Sequence, residues 1–344
     1  MKFYIASALL LVGSCATIRH SEKVKSLKES IVFEDKAVVK TYMNTITTDD
    51  LKTHVYEIAS DKHNGRMTGE EGHNQVCDYI RSNYKSYNLK APKSHSNYYQ
   101  TISKSELPED VKADSQNIIA YIEGAEFPDE YIIISAHSDH EGVIDGEIHY
   151  GADDNASGTA ALLEMAEAFG KAAANGYRPK RSVVFLNVTA EEVGLVGSYY
   201  YTKNPVFPIE NTVANLNTDM IGRVDKKHID NENYIYLIGS NRISTELDFV
   251  TNAANDAFTN LELDYTYNAE NDVNSYYTRS DHYNFALQGI PVVFFFNGEH
   301  EDYHKSTDTA DKINFPLLKK RTDLIFATAW YIANAEKTMS NEIL

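Results

Sequence analysis

The sequence predicts an α/β protein: a three-layer α/β/α sandwich on a mixed, mainly parallel sheet. Three observations lead there. From Asn117 onward, short apolar runs alternate with stretches of helical periodicity. The runs are four to six residues long and apolar at consecutive positions, which indicates a sheet covered on both faces. Nearly every run is followed by a short polar motif rich in His, Asp or Glu, the placement expected at the carboxyl ends of parallel strands.

The chain has 344 residues, 42% hydrophobic and 24% charged, enough for one large α/β domain or two ordinary ones. Its 50 Asp and Glu against 32 Lys and Arg give a net charge of −18, which argues against nucleic acid as a partner, because neutralising phosphates takes clustered Lys and Arg.

At the N-terminus, Phe3 to Val12 follows Lys2 and is too short to span a bilayer, so residues 1–14 read as a signal peptide. Val12-Gly13-Ser14-Cys15 resembles a bacterial lipobox, which puts a lipid anchor on Cys15 as the sole membrane attachment. The protein is then expected to be exported and to face the periplasm or the cell exterior. Cys77 is the other cysteine, so no disulfide is expected within the folded domain. Residues 15–45 are polar and without clear periodicity and read as a tether with room for one short helix, with the folded domain over 46–344.

The elements follow in order. Thr48 caps a helix with Asp49 and Asp50 in its first turn and Leu51, Val55 and Ile58 on one face. A second helix spans about 72–87, with Val76, Ile80 and Tyr84 inward. Strands are expected at 118–122 and 131–135, separated by turn residues that include Gly124 and Pro128. Helix 156–169 follows, then strands at 183–188, 213–216, 234–238 and 292–296, and a closing helix near 316–336. The interval 259–280, rich in Asn, Asp and Tyr, reads as a lid or rim.

Six polar motifs carry the chemistry: His137-Ser138-Asp139, Gly151 to Gly158, Ala190-Glu191-Glu192, Asn217 to Met220, Arg279-Ser280-Asp281, and Tyr303-His304. Residues two apart on a strand share a side, so Asp139 can accept the second ring N–H of His137 and free the other nitrogen for a metal. Asp153 and Asp154 precede a helix. One suffices as a cap, which leaves the other to face a cation. Glu191 and Glu192 repel each other unless a cation lies between them or one is protonated. A hydrolytic metal site gives such neighbours separate tasks, one as ligand and one as proton acceptor from water. Asp219 and His304 add a hard oxygen and an imidazole, and Tyr303 a phenolic donor for an oxyanion.

In this order the motifs resemble the M28 family of zinc peptidases, the di-zinc aminopeptidase group. The resemblance spans about Leu51 to Lys337 and includes Ala59-Ser60-Asp61 with Gly65-Arg66, and Ser280 to Phe285 before Gly289-Ile290-Pro291. It implies a zinc-peptidase (phosphorylase/hydrolase-like) fold holding two Zn²⁺ per chain. His137 and Asp219 would hold one ion, Glu192 and His304 the other, and Asp154 would bridge them. Glu191 would be the general base, Asp139 the partner of His137, and Tyr303 an oxyanion stabiliser. The implied activity is an aminopeptidase acting on short peptides. A carboxypeptidase or dipeptidase of the same fold is the alternative, with Arg223 or Arg279 as the clamp for a substrate carboxylate. The five filled ligand positions weigh against a single-zinc glutaminyl cyclase and against a non-catalytic surface protein. Loops 195–205 and 259–285 are expected to line the substrate pocket; the tyrosines at 199–201 and 276–277 read first as core or sheet-edge packing, with an aromatic pocket wall as the alternative.

Overall fold

The computed structural model describes residues 20–344, so the signal peptide and Cys15 lie outside the described residues. The main sheet contains β1 (Tyr99–Ile102), β2 (Ser115–Ile122), β3 (Phe127–His137), β6 (Arg181–Val188), β7 (Thr212–Thr218), β8 (Tyr234–Ile238), β9 (Glu262–Asp264) and β10 (Val292–Phe296). Their order is β1-β2-β6-β3-β7-β10-β8-β9. The four central strands β6, β3, β7 and β10 run parallel. Antiparallel pairings flank them, β2 against β6 on one side and β8 against β10 on the other. A separate hairpin joins β4 (Gly142–Ile144) to β5 (Glu147–His149).

Strand alternation divides the interior in two. On β3, Ile132, Ile134 and Ala136 face the larger core, and Tyr131 and Ile133 the smaller. Helices Thr48–Ile58, Glu71–Ser86, Gly158–Ala174 and Phe315–Asn334 build the larger one. Helix Gly158–Ala174 is Ala-rich and buried on nearly every side, so it packs flush on the sheet. Asn175 and Gly176 end it, and Gly176 takes a φ of +90° that a glycine adopts without strain. The opposite face is covered thinly by helices Val196–Lys203 and His282–Ala286, through buried Tyr201 and Phe285.

The N-terminal boundary needs correction. Ile31, Phe33, Val39, Tyr42, Met43 and Ile46 are buried in the larger core, and Lys36–Met43 is a helix. Tyr42 stacks on Trp330 with ring centroids 6.0 Å apart, and Trp330 Nε1 donates to Asp35 at 2.8 Å. From residue 31 on, the expected tether belongs to the folded domain. Its apolar positions are few, and the Lys and Glu around them mask the helical spacing.

Candidate metal centre

Four of the six motifs leave the carboxyl ends of the central parallel strands. His137 ends β3, Ala190-Glu191-Glu192 follows β6, Asp219 follows β7, and the 297–304 loop follows β10. Asp154 comes from the turn that leads into helix Gly158–Ala174. Three residues in these turns, Ala190, Met220 and His304, have φ near +55°. Such conformations cost about 1–3 kcal/mol each and are typical of places where side chains must be aimed.

The aim converges. His137 Nε2 lies 3.2 Å from Asp154 Oδ1 and 3.2 Å from Asp219 Oδ1. His304 Nε2 lies 3.1 Å from Asp154 Oδ2 and 3.3 Å from Glu192 Oε2. Asp154 thus turns one oxygen to each imidazole. Donor atoms of His137, Glu191 and Asp219 lie within 4.8 Å of one another, as do those of His137, Asp154 and Glu192. Asp153, its neighbour in sequence, points elsewhere: it accepts from Gly222 N at 2.7 Å and Asn297 Nδ2 at 3.0 Å and faces His300 Nε2 at 3.1 Å.

The electrostatics suit a cation. Among the described residues no Lys or Arg forms an ion pair with Asp154, Glu191, Glu192 or Asp219; the ion pairs of Asp154, Glu192 and Asp219 are all with imidazoles. Burial disfavours a charged imidazole, yet Asp219 and Glu191 hold His137 well above its usual range, and Asp154 and Glu192 push His304 up to about 11. Burial would likewise raise Asp154, but His137 and His304 hold it well below the usual carboxylate range. Glu191 is held well above that range by burial and by Glu192, against the pull of His137. A bound dication relieves this crowding of negative charge, and the nitrogen and oxygen donors suit zinc. The residues present fit the metal.

The surroundings hold the donors in place. Ser280 donates to Asp219 Oδ2 at 2.6 Å and accepts from Asn217 Nδ2 at 2.8 Å, which gives the Arg-Ser-Asp motif its part. His140 Nδ1 lies 2.6 Å from Glu192 Oε1. Asp308 Oδ2 accepts from the backbone N–H groups of Asp153 and Asp154 at 2.9 and 3.1 Å. Sequence reasoning missed both: His140 lies only one residue beyond the His-Ser-Asp motif, and Asp308 follows His304 by four.

Asp139 departs from expectation. His137 Nδ1 meets the backbone carbonyl of Asp139 at 3.3 Å, and the carboxylate stands 3.8 Å away, too far for a hydrogen bond. That carboxylate accepts from Thr68 Oγ1 at 2.8 Å and Glu191 N at 3.3 Å. It therefore ties the Glu191 turn to the His137 loop.

A cleft of about 330 Å³ opens beside the donors. Asp154, Glu191, Asp219 and His304 form one side; Met220, Phe294, Phe296 and Tyr276 form an apolar wall; Arg279, Glu299 and Tyr303 complete the lining. Arg279 donates to Glu299 at 3.0 Å and to the Tyr303 hydroxyl at 3.2 Å. Burial and the charges of Asp154 and Glu192 raise the Tyr303 phenol above its usual range, so it stays protonated as a donor. Two expectations fail here. Loop 195–205 is not part of the cleft lining; Tyr201 is instead packed on Phe285 in the smaller core, the favoured reading of that tyrosine run. Arg223 is also absent from the lining and is paired with Asp302 at 2.9 Å.

Arg66 underpins the floor. The residue is 1% exposed, and its guanidinium donates to the carbonyl oxygens of Ser138, Tyr150, Gly151 and Asp154. Arg66→Met leaves those acceptors unpaired and is expected to cost about 3 kcal/mol or more, read as a lower urea midpoint of the metal-free protein. An unchanged midpoint contradicts this role.

Comparison with known proteins bears on the same region. The family model for Peptidase family M28 matches residues 117–329. "Probable glutamate carboxypeptidase LAMP1" of Arabidopsis thaliana is 37% identical over 119 residues, 34% of this chain and 16% of that protein. The matched stretch thus spans about a sixth of that relative's length. Among solved structures, the LapA aminopeptidase of Legionella pneumophila superposes with a TM-score of 0.69 at 18% identity, covering 89% of this chain and 76% of that one. Porphyromonas gingivalis glutaminyl cyclase superposes with a TM-score of 0.67 at 18% identity, covering 83% and 98%. These structural likenesses establish a shared fold.

Proposed function

The chain belongs to peptidase family M28, and from that premise we propose that it is a two-zinc exopeptidase that removes N-terminal residues from short peptides. The observation that carries this reading is Asp154, whose two oxygens face His137 and His304 separately. In this reading His137 and Asp219 would hold one ion, Glu192 and His304 the other, and Asp154 would serve both. Zinc supplies Lewis acidity, which lowers the pKa of water and polarises a carbonyl.

The chain's own groups do the rest. Glu191, on the cleft wall, takes a proton from the attacking water on a carboxylate oxygen and returns it to the departing amine nitrogen. The Tyr303 hydroxyl, oriented by Arg279, donates to the oxyanion. Asp139 holds the Glu191 turn in register.

Aminopeptidase action is favoured over carboxypeptidase action by the cleft's charges. Asp154, Glu191, Asp219 and Glu299 line it, and its one arginine, Arg279, is already paired with Glu299. Beyond the ions themselves, such a cleft keeps carboxylate oxygens for an ammonium group and, among the described residues, has no unpaired arginine or lysine to clamp a carboxylate. The test is kcat/KM for Leu-Xaa against acetyl-Leu-Xaa. Acetylation leaves a carboxylate acceptor unpaired, and the ratio is expected to be at least about tenfold. A ratio near one, or a requirement for a free C-terminal carboxylate, moves the assignment to a carboxypeptidase with Arg279 as the clamp.

Export and lipid anchoring through Cys15 belong to the same proposal and rest on residues 2–15 alone. Cys15→Ser, provided the signal is still cleaved, is expected to shift the protein from the membrane fraction to the soluble fraction with unchanged kinetics. Retention in membranes after signal removal contradicts the anchor.

A further inference from the structure

The two converging imidazoles are held differently on their outer sides. His137 is almost wholly enclosed, its side chain 1% exposed, and packing fixes its ring. The His304 side chain is 35% exposed, against 9% or less for His137, Asp154, Glu192 and Asp219. Its backbone also sits at φ +55°, on a loop rather than a strand. The Tyr303 ring lies against that of His304, tilted by 32° with centroids 3.9 Å apart, but a ring contact does not choose which nitrogen faces inward.

A carboxylate does. His304 Nδ1 lies 3.3 Å from Glu141 Oε1, and the other oxygen, Oε2, lies 2.9 Å from His149 Nδ1. Glu141 immediately precedes β4, and His149 ends β5, so the small hairpin brings both. Ser306 Oγ donates to Glu147 Oε2 at 2.6 Å, a second tie between this hairpin and the His304 loop.

We infer that Glu141 is a positioning residue for His304, with the β4–β5 hairpin as its carrier. Glu141 Oε1 accepts the Nδ1 proton and leaves the Nε2 lone pair directed between Asp154 and Glu192. His149 holds the second oxygen and keeps the carboxylate from rotating away. Carboxylate partners of this kind orient imidazole ligands and raise their basicity. For His304, Glu141 fills the part that sequence reasoning assigned to Asp139 for His137.

This inference rests on the zinc reading, and the experiment separates the two. Zinc is titrated into metal-stripped protein in competition with a chromophoric chelator, for the wild type, Glu141→Ala, Glu141→Gln and Glu147→Ala. The wild type takes up two equivalents. Glu141→Ala weakens one of them by about 10–100-fold and leaves the other nearly unchanged. Glu141→Gln, whose amide oxygen still accepts, recovers part of the loss. Glu147→Ala, which cuts only the tie to Ser306, keeps both affinities, and the metal-free unfolding midpoints of all four proteins agree. Wild-type affinities in Glu141→Ala overturn the inference while leaving the zinc reading intact. Equal weakening of both equivalents in Glu141→Ala and Glu147→Ala also overturns it, because a loosened hairpin then explains the loss. A wild type that fails to take up two equivalents sinks the zinc reading, and the positioning role with it.

Discussion

Glu191→Gln is expected to lower kcat by about 10²–10⁴-fold while zinc content stays at the wild-type level. The amide keeps the size of the side chain on the cleft wall but cannot take a proton from water. The geometry makes this a real test, because Glu191 also lies within ligand reach of His137 and Asp219. If Glu191 were a ligand rather than a base, the amide would lose zinc along with activity. Glu192→Gln should behave in the opposite way. Glu192 faces His304 at 3.3 Å and His140 at 2.6 Å, so its loss weakens metal retention first. Zinc analysis and kcat on both variants decide the matter, and reversed behaviour exchanges the two roles.

Asp154→Ala is expected to abolish the paired binding of zinc and to lower activity at least as far as Glu191→Gln, by about 10²-fold or more. It is the group shared by both imidazoles, so no other side chain replaces it. Asp153→Asn is the control. Asp153 is fully buried and holds Gly222 and Asn297. Its substitution disturbs those hydrogen bonds at a cost of about 1–3 kcal/mol in stability and leaves zinc stoichiometry unchanged. Loss of zinc in Asp153→Asn with retention in Asp154→Ala would show the bridging role displaced by one residue.

The central strands were readable because a buried parallel strand is written in consecutive apolar residues. The expectations at 234–238 and 292–296 coincide with β8 and β10. The same logic located the donors, since the polar residues that end such runs collect at one edge of the sheet. Short edge elements carry no such signal. β1, β9 and the β4–β5 hairpin are three or four residues each, and Glu141 was hidden with the hairpin. Arg66 was legible only as part of a motif, because its work is done on four backbone carbonyls that no spacing rule reveals. Asp139 shows the limit of i, i+2 reasoning. The strand ends at His137, and beyond it the chain turns the carboxylate toward Thr68. The short helix expected in the N-terminal segment lies at Lys36–Met43, but its packing into the core was not legible, because its buried face is narrow within a highly charged segment.

The central claim is that hydrolysis at a free N-terminus requires two zinc ions on this one cluster. Its most direct test is kcat/KM for Leu-Xaa, followed as zinc is added stepwise to metal-stripped protein, with bound metal counted at each step. The account predicts that activity is absent without metal and reaches its plateau at two bound ions per chain, with acetyl-Leu-Xaa uncleaved throughout. Full activity at one bound ion, or in the stripped protein, would contradict it.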